Sequence, residues 1–101
     1  MSARAYRDEF ETAAAAARYD EVGYGVDSYW SLLHQIESEI ILGRIRELFP
    51  ERESLSALDF ACGTGRMTAV IENAVGRCFG MDINAAMLVR AKQKTSKSHY
   101  I

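Results

Sequence analysis

The sequence predicts an α/β protein in which N-terminal helices lead into a βαβα unit on a parallel sheet. Three observations carry that prediction. Apolar residues in the first half recur at helical spacings of three and four. Beyond Pro50 the pattern changes to two short apolar runs of strand length, residues 55–61 and 77–83. Each run is followed by turn residues and a new helical pattern, the order of a right-handed crossover between parallel strands. With 101 residues, 49% hydrophobic and 26% charged, the chain has an ordinary globular balance and the length of one small domain at most.

Taken in order, residues 3–20 read as a helix, with Tyr6, Phe10, Ala13, Ala14 and Ala17 on one side and Arg7, Asp8, Glu9 and Glu11 on the other. Gly23 and Gly25 break it, and Asp27 and Ser28 offer an N-cap for a second helix. The stripe of that helix is Trp30, Leu33, Glu37, Ile41, Ile45 and Leu48, widened by Tyr29, Ile36 and Ile40, and Pro50 stops it. Tyr29 and Trp30 are expected on the sheet face, with the lining of a substrate pocket by the aromatics of residues 23–30 as the alternative, and His34 reads as a partly buried structural histidine. Residues 64–74 give a third helix with Met67, Val70, Ile71 and Ala74 on one side. Asn84 caps a fourth, whose apolar positions are Ala85, Met87, Leu88 and Ala91. Residues 98–101 look like the opening of a third strand. The division expected is a helical lid or cap over 1–53 and the βαβα portion over 54–101.

Composition narrows the chemistry. A formal net charge of −2 and a pI near 5.6 do not suit a nucleic-acid backbone. The basic residues Arg90, Lys92, Lys94 and Lys97 read as the cationic end of a helix plus a solvated linker. Cys62 and Cys78 lie far apart without CxxC spacing, which gives neither a metal site nor a disulfide framework and suits a reducing compartment. The N-terminus lacks the apolar core of a secretory signal, and no apolar run is long enough to span a bilayer. A cytoplasmic protein without membrane or nucleic-acid partners is the expectation.

The residues that carry chemistry cluster after the first strand. Ala61, Cys62, Gly63 and Thr64 are nearly all small, and Gly63 and Gly65 have no side chain to hold a ligand off the main chain. Gly65 sits where a helix N-terminus exposes unpaired amides, a seat for a carboxylate or phosphate. Asp82 ends the second strand. Because adjacent parallel strands finish side by side, it should face the same crevice and accept hydrogen bonds from both hydroxyls of a ribose. A glycine turn with such an acid points to a nucleoside-containing ligand. The dinucleotide fingerprint G-x-G-x-x-G is incomplete, since Thr68 occupies its third glycine position.

Asp59-x-Ala61-x-Gly63-x-Gly65 resembles the first motif of the class I S-adenosylmethionine-dependent methyltransferases, and "MDINAAML" (residues 81–88) is similar to their second. The resemblance covers roughly residues 55–93 and departs at Ala61, where glycine is usual. It implies a Rossmann-like sheet and S-adenosylmethionine as cofactor. The main chain at Ala61, Cys62, Gly63 and Gly65 would hold the aminocarboxypropyl group, with Asp59 orienting the loop and receiving the amino group. Asp82 would bind the ribose, Ile83 and Met87 would pack on the adenine, and Tyr19 or Tyr24 would close over the cofactor from an N-terminal lid. No metal ligand and no catalytic residue is implied.

Family members have seven strands, so the sequence reads as a domain cut off after its fourth helix, the N-terminal part of a longer protein. The acceptor expected is a small molecule. The chain alone is expected to bind the cofactor weakly if at all, not to turn over, and to close its sheet by self-association or strand exchange. The alternatives are an NAD(P)-binding oxidoreductase fragment and a non-catalytic association fragment.

Overall fold

The computed structural model describes residues 12–25 and 28–101; Tyr6 and Phe10 of the expected first helix lie outside them. Helix α1 is Ala13–Arg18. The Thr12 hydroxyl accepts from the Ala15 amide at 3.0 Å, so one orphan donor of the first turn is satisfied by a cap. Rather than running on as an α-helix to residue 20, the chain widens into a π-helical turn, Tyr19–Gly23. Within that turn Asp20 is buried while Glu21 and Val22 face solvent.

Helix α2, Tyr29–Leu48, starts where the Ser28 side chain accepts from the Ser31 amide at 3.0 Å and donates to the Gly23 carbonyl at 3.2 Å. It stops ahead of Pro50, as the ring requires. Its half-buried side carries Leu33, His34, Ser38, Ile41 and Ile45; Trp30, Ile36, Glu37, Ile40 and Leu48 are exposed. Tyr29 and Trp30 therefore do not pack on the sheet face. The neighbour of α2 is helix α3, Arg66–Ile71, and it is α3 that packs on the strands.

The strands are β1, Ser56–Phe60, β2, Arg77–Met81, and β3, His99–Tyr100, in the order β1-β2-β3 and all parallel. Residues 99–100 thus pair as a third strand, where the sequence suggests one opens. The register pairs Phe60 with Met81 and Phe79 with His99, so β1 and β2 end level with each other. Helix α4, Ala85–Lys94, lies between β2 and β3 in sequence and packs against both α1 and α3. Its buried residues Met87 and Ala91, with Cys78 of β2 and Ala16 of α1, form the apolar core.

The opposite end of the sheet is closed by a short 3₁₀ turn, Arg52–Ser54. There the Gly76 amide donates to the carbonyls of Arg52 (3.1 Å) and Leu55 (3.0 Å). A Cβ on Gly76 would collide with the Glu53 carbonyl, so glycine is required by close approach of backbone to backbone.

Candidate functional site

The link between β1 and α3 has left-handed backbone at three positions: Ala61 (φ +58°), Gly63 (φ +59°) and Gly65 (φ +81°). Gly65 is the N-cap of α3, and its positive φ keeps Thr64 out of the helix, which begins two residues later than its apolar spacing suggests. It also lies against α4: an added Cβ would stand 2.7 Å from the Ala91 Cβ. An added Cβ on Gly63 meets nothing within 4 Å, so this bend borders open space.

Asp82 lies against this bend. Its Oδ2 accepts from the Gly63 amide at 2.8 Å and its Oδ1 from the Asn84 amide at 2.8 Å. The Cys62 amide donates to the Met81 carbonyl at 2.8 Å, carrying the β1–β2 ladder into the turn. The carboxylate and the glycine turn thus share one rim, each Asp82 oxygen retaining acceptor capacity beyond its single amide bond. Ile83, 77% exposed, is an apolar side chain beside that carboxylate with its surface open. Met87 is only 5% exposed and belongs to the core.

A cavity of about 200 Å³ opens on the other side of the turn. Asp59, Ala61, Cys62 and Thr64 line it from the turn, and Tyr19, Tyr24, Trp30, His34 and Glu37 from the N-terminal helices, with Arg66 and Met67 of α3. Tyr19 and Tyr24 form a tilted pair, 5.2 Å between centroids and 54° between planes, their hydroxyls 3.3 Å apart, and Trp30 stands 6.5 Å from Tyr24. The sequence-derived residues therefore fall into two groups. Tyr19, Tyr24, Asp59, Ala61 and Cys62 meet in the cavity; Gly63, Asp82 and Ile83 form the rim beside it.

Electrostatics distinguish these groups. Asp59 Oδ2 accepts from the Thr68 hydroxyl at 2.7 Å, which fixes it at the strand end. Burial pushes the Cys62 thiol up to about 11, with Asp59 and Asp82 adding to the shift, so the thiol stays protonated and inert. Burial and the nearby Arg66 cation depress His34, against a smaller opposite pull from Glu37, leaving a neutral imidazole at the cavity wall at neutral pH.

The most heavily bonded group is Asp20, 3% exposed. Its Oδ1 accepts from the Thr64 hydroxyl (3.1 Å) and pairs with Arg66 (2.9 Å). Its Oδ2 accepts from Arg90 Nε (3.1 Å) and from Lys94 Nζ. Burial alone would raise its pKa, but the Lys94 and Arg90 hydrogen bonds and the surrounding cations outweigh that and hold it below 3.8. Arg90, Lys92 and Lys94 lie on helix α4, the two lysines in its last turn as the sequence suggests, and Arg90 and Lys94 also pair with Asp20. Helix α4 carries them to the π-helical turn, 70 and 74 residues from their partner in sequence.

Sequence reasoning missed Asp20, Thr64, Arg66, Glu37 and the cavity position of His34, while the pocket position of Trp30 was its alternative to the sheet face. One signal was available for Asp20: an acid beside Tyr19 in the proposed lid, in a chain whose later helices carry surplus cations.

A family model described as a methyltransferase domain matches residues 57–100. Among solved structures, magnesium protoporphyrin IX methyltransferase from Synechocystis PCC 6803 with bound S-adenosylhomocysteine superposes with a TM-score of 0.78 at 20% identity, over 97% of this chain and 49% of that one. The amino pentose methyltransferase CalS10 from Micromonospora echinaspora, bound to S-adenosylmethionine, gives 0.63 at 24% identity, over 81% and 32%. A SAM-dependent methyltransferase from Anabaena variabilis gives 0.52 at 31% identity, over 61% and 26%. Among curated protein sequences, none matches. The chain spans between 26% and 49% of the length of these three structures. The glycine turn, the acid at the neighbouring strand end and the parallel β1-β2-β3 order agree with these matches: residues 57–100 are similar to a methyltransferase domain, and the chain has part of a Rossmann-like methyltransferase fold.

Proposed function

We propose that this chain is the S-adenosylmethionine-binding portion of a methyltransferase acting on a small molecule, with residues 1–53 as lid and 54–101 as the first part of the cofactor domain. The observation that carries the reading is the 2.8 Å bond between the Gly63 amide and Asp82, which sets the turn and the acid at one rim. The residues fit the cofactor. Open space at Gly63 admits a ligand against the main chain, Asp82 keeps lone pairs for the ribose hydroxyls, and the bare surface of Ile83 suits the adenine face, with Met87 a smaller contributor.

The amides of Cys62, Gly63 and Gly65 already donate within the protein. The carbonyls of Cys62 and Gly65 already accept from the Gly65 and Ala69 amides and Gly65 is buried, so the turn offers its main-chain surface at Ala61, Cys62 and Gly63, and Asp59 adds a carboxylate on the cavity wall, the complement of an ammonium. Arg66, whose Nε is buried without a partner among the described residues, is the cation for the cofactor's carboxylate. Tyr19 and Tyr24 close over the methionine end. When bound, the cofactor supplies an electrophilic methyl group on sulfur. The chain's residues hold it in line for an acceptor nucleophile, which is where this class of displacement gains most of its rate. The acceptor side requires surface beyond that described, so weak binding is expected of this chain and turnover is not.

Calorimetry with S-adenosylhomocysteine tests the reading. Wild type should give heat, and Asp82→Ala should bind at least tenfold more weakly. Because Asp82 also holds Gly63, methylthioadenosine and its 2′-deoxy counterpart are compared on wild type, which should prefer the ribose form. Equal affinities for the two nucleosides and equal heats from the two proteins would overturn the ribose assignment.

A further inference from the structure

The Asp20 carboxylate is absent from the cavity lining, yet it holds the cavity's two walls together. It comes from the lid, and its partners come from the glycine turn (Thr64), from α3 (Arg66) and from α4 (Arg90, Lys94). Thr64 is gripped twice, through its hydroxyl by Asp20 and through its carbonyl by Lys94 Nζ at 3.0 Å. Arg66 is gripped twice as well, its NH2 lying 2.6 Å from the Asp20 carbonyl and 2.9 Å from Oδ1. That grip holds the guanidinium over the Tyr24 ring, 4.6 Å from its centroid. Glu21, at the exposed edge, shares only Arg90.

We infer that Asp20 is a positioning residue for the cofactor: from the lid side it fixes the peptide of Thr64 and the head of Arg66, so that ligand affinity depends on a carboxylate the ligand never touches. This rests on the cofactor reading above. The physical reason is the imbalance its loss would leave. Without that charge, three cations face one another around a buried turn residue, and each is relieved by moving away, which takes Arg66 off Tyr24 and releases Thr64. The lid and the turn then separate, and the cavity between them loses its shape.

Trp30 is the only tryptophan and stands on the lid side of the cavity near Tyr24, so its emission reports whether the lid is docked. The experiment uses the full chain as wild type, Asp20→Asn, Thr64→Val, Asp20→Asn with Lys94→Met, and Glu21→Gln. Each is measured by Trp30 emission without ligand, by helical circular dichroism, and by calorimetry with S-adenosylhomocysteine. Asp20→Asn should keep its helical signal, shift Trp30 emission to the red and bind at least tenfold more weakly. Thr64→Val, which leaves every ion pair in place, should weaken binding several-fold with Trp30 unchanged. Removing the Lys94 cation should recover part of the Asp20→Asn loss, and Glu21→Gln should match wild type within twofold. The inference is overturned if Asp20→Asn binds within twofold of wild type, or if its affinity falls only in step with lost helical signal and Thr64→Val binds normally. If wild type gives no heat, the cofactor reading fails instead, and an unshifted Trp30 emission in Asp20→Asn then rejects the docking role on its own.

Discussion

Ala61 is the sole residue other than glycine with a positive φ among those described. A left-handed conformation costs an L-residue with a Cβ about 1–2 kcal/mol, and this explains in backbone terms why glycine is usual at the position. Ala61→Gly should therefore stabilise the chain by about 1 kcal/mol despite the greater freedom glycine has when unfolded. Urea denaturation measures this, and an unchanged or lower midpoint would contradict it. The converse change, Gly65→Ala, combines positive φ with a Cβ 2.7 Å from that of Ala91, and should cost about 3 kcal/mol in the same assay. The glycine turn and Asp82 were legible from sequence because they depend on order alone: strand, bend, helix, strand, acid. The roles of Asp20 and Arg66 were not, because partners separated by 44 to 74 residues meet only after three helices have packed.

At the level of elements, the short strand β3 owes its position to a side chain of the segment following α3. Glu72 accepts from the amides of Ser96 (3.1 Å) and Lys97 (3.0 Å) and from the Ser98 hydroxyl (2.7 Å). Burial by itself would raise its pKa, but these hydrogen bonds prevail and hold it below 4.5. A depressed carboxylate contributes stability that is complete above its unfolded pKa and disappears as pH falls through the lower folded value. Glu72→Gln should thus cost about 1–2 kcal/mol at neutral pH, with the gap from wild type narrowing below about pH 4. Thermal melts across that range check the sign, and a gap that widens in acid would refute it. The element boundaries of α2 were readable from Ser28 and Pro50, but not its orientation: a stripe of apolar residues does not say whether the surface opposite is sheet or helix.

Over the whole molecule, apolar surface is unevenly covered. Leu58 (55% exposed) and Phe60 (74%) lie on β1, which has a strand partner on one side only among the described residues, and Ile36, Ile40 and Leu48 are open along α2. Such a combination of a free strand edge and apolar side chains favours pairing with another chain. Sedimentation should reveal concentration-dependent self-association of this 101-residue chain, reduced by Phe60→Lys. A monomer throughout would show that these side chains find cover within the chain. No helix among the described residues is long and apolar enough to cross a membrane.

The knot at Gly76, where one amide serves the carbonyls of both Arg52 and Leu55, gives the sheet two poles with separate duties. The proposed ligand contacts gather where the strands finish, whereas this far pole clasps the chain where the strands begin. A stabilising staple or an affinity handle placed beside Arg52–Ser54 would therefore leave the proposed nucleoside grip untouched.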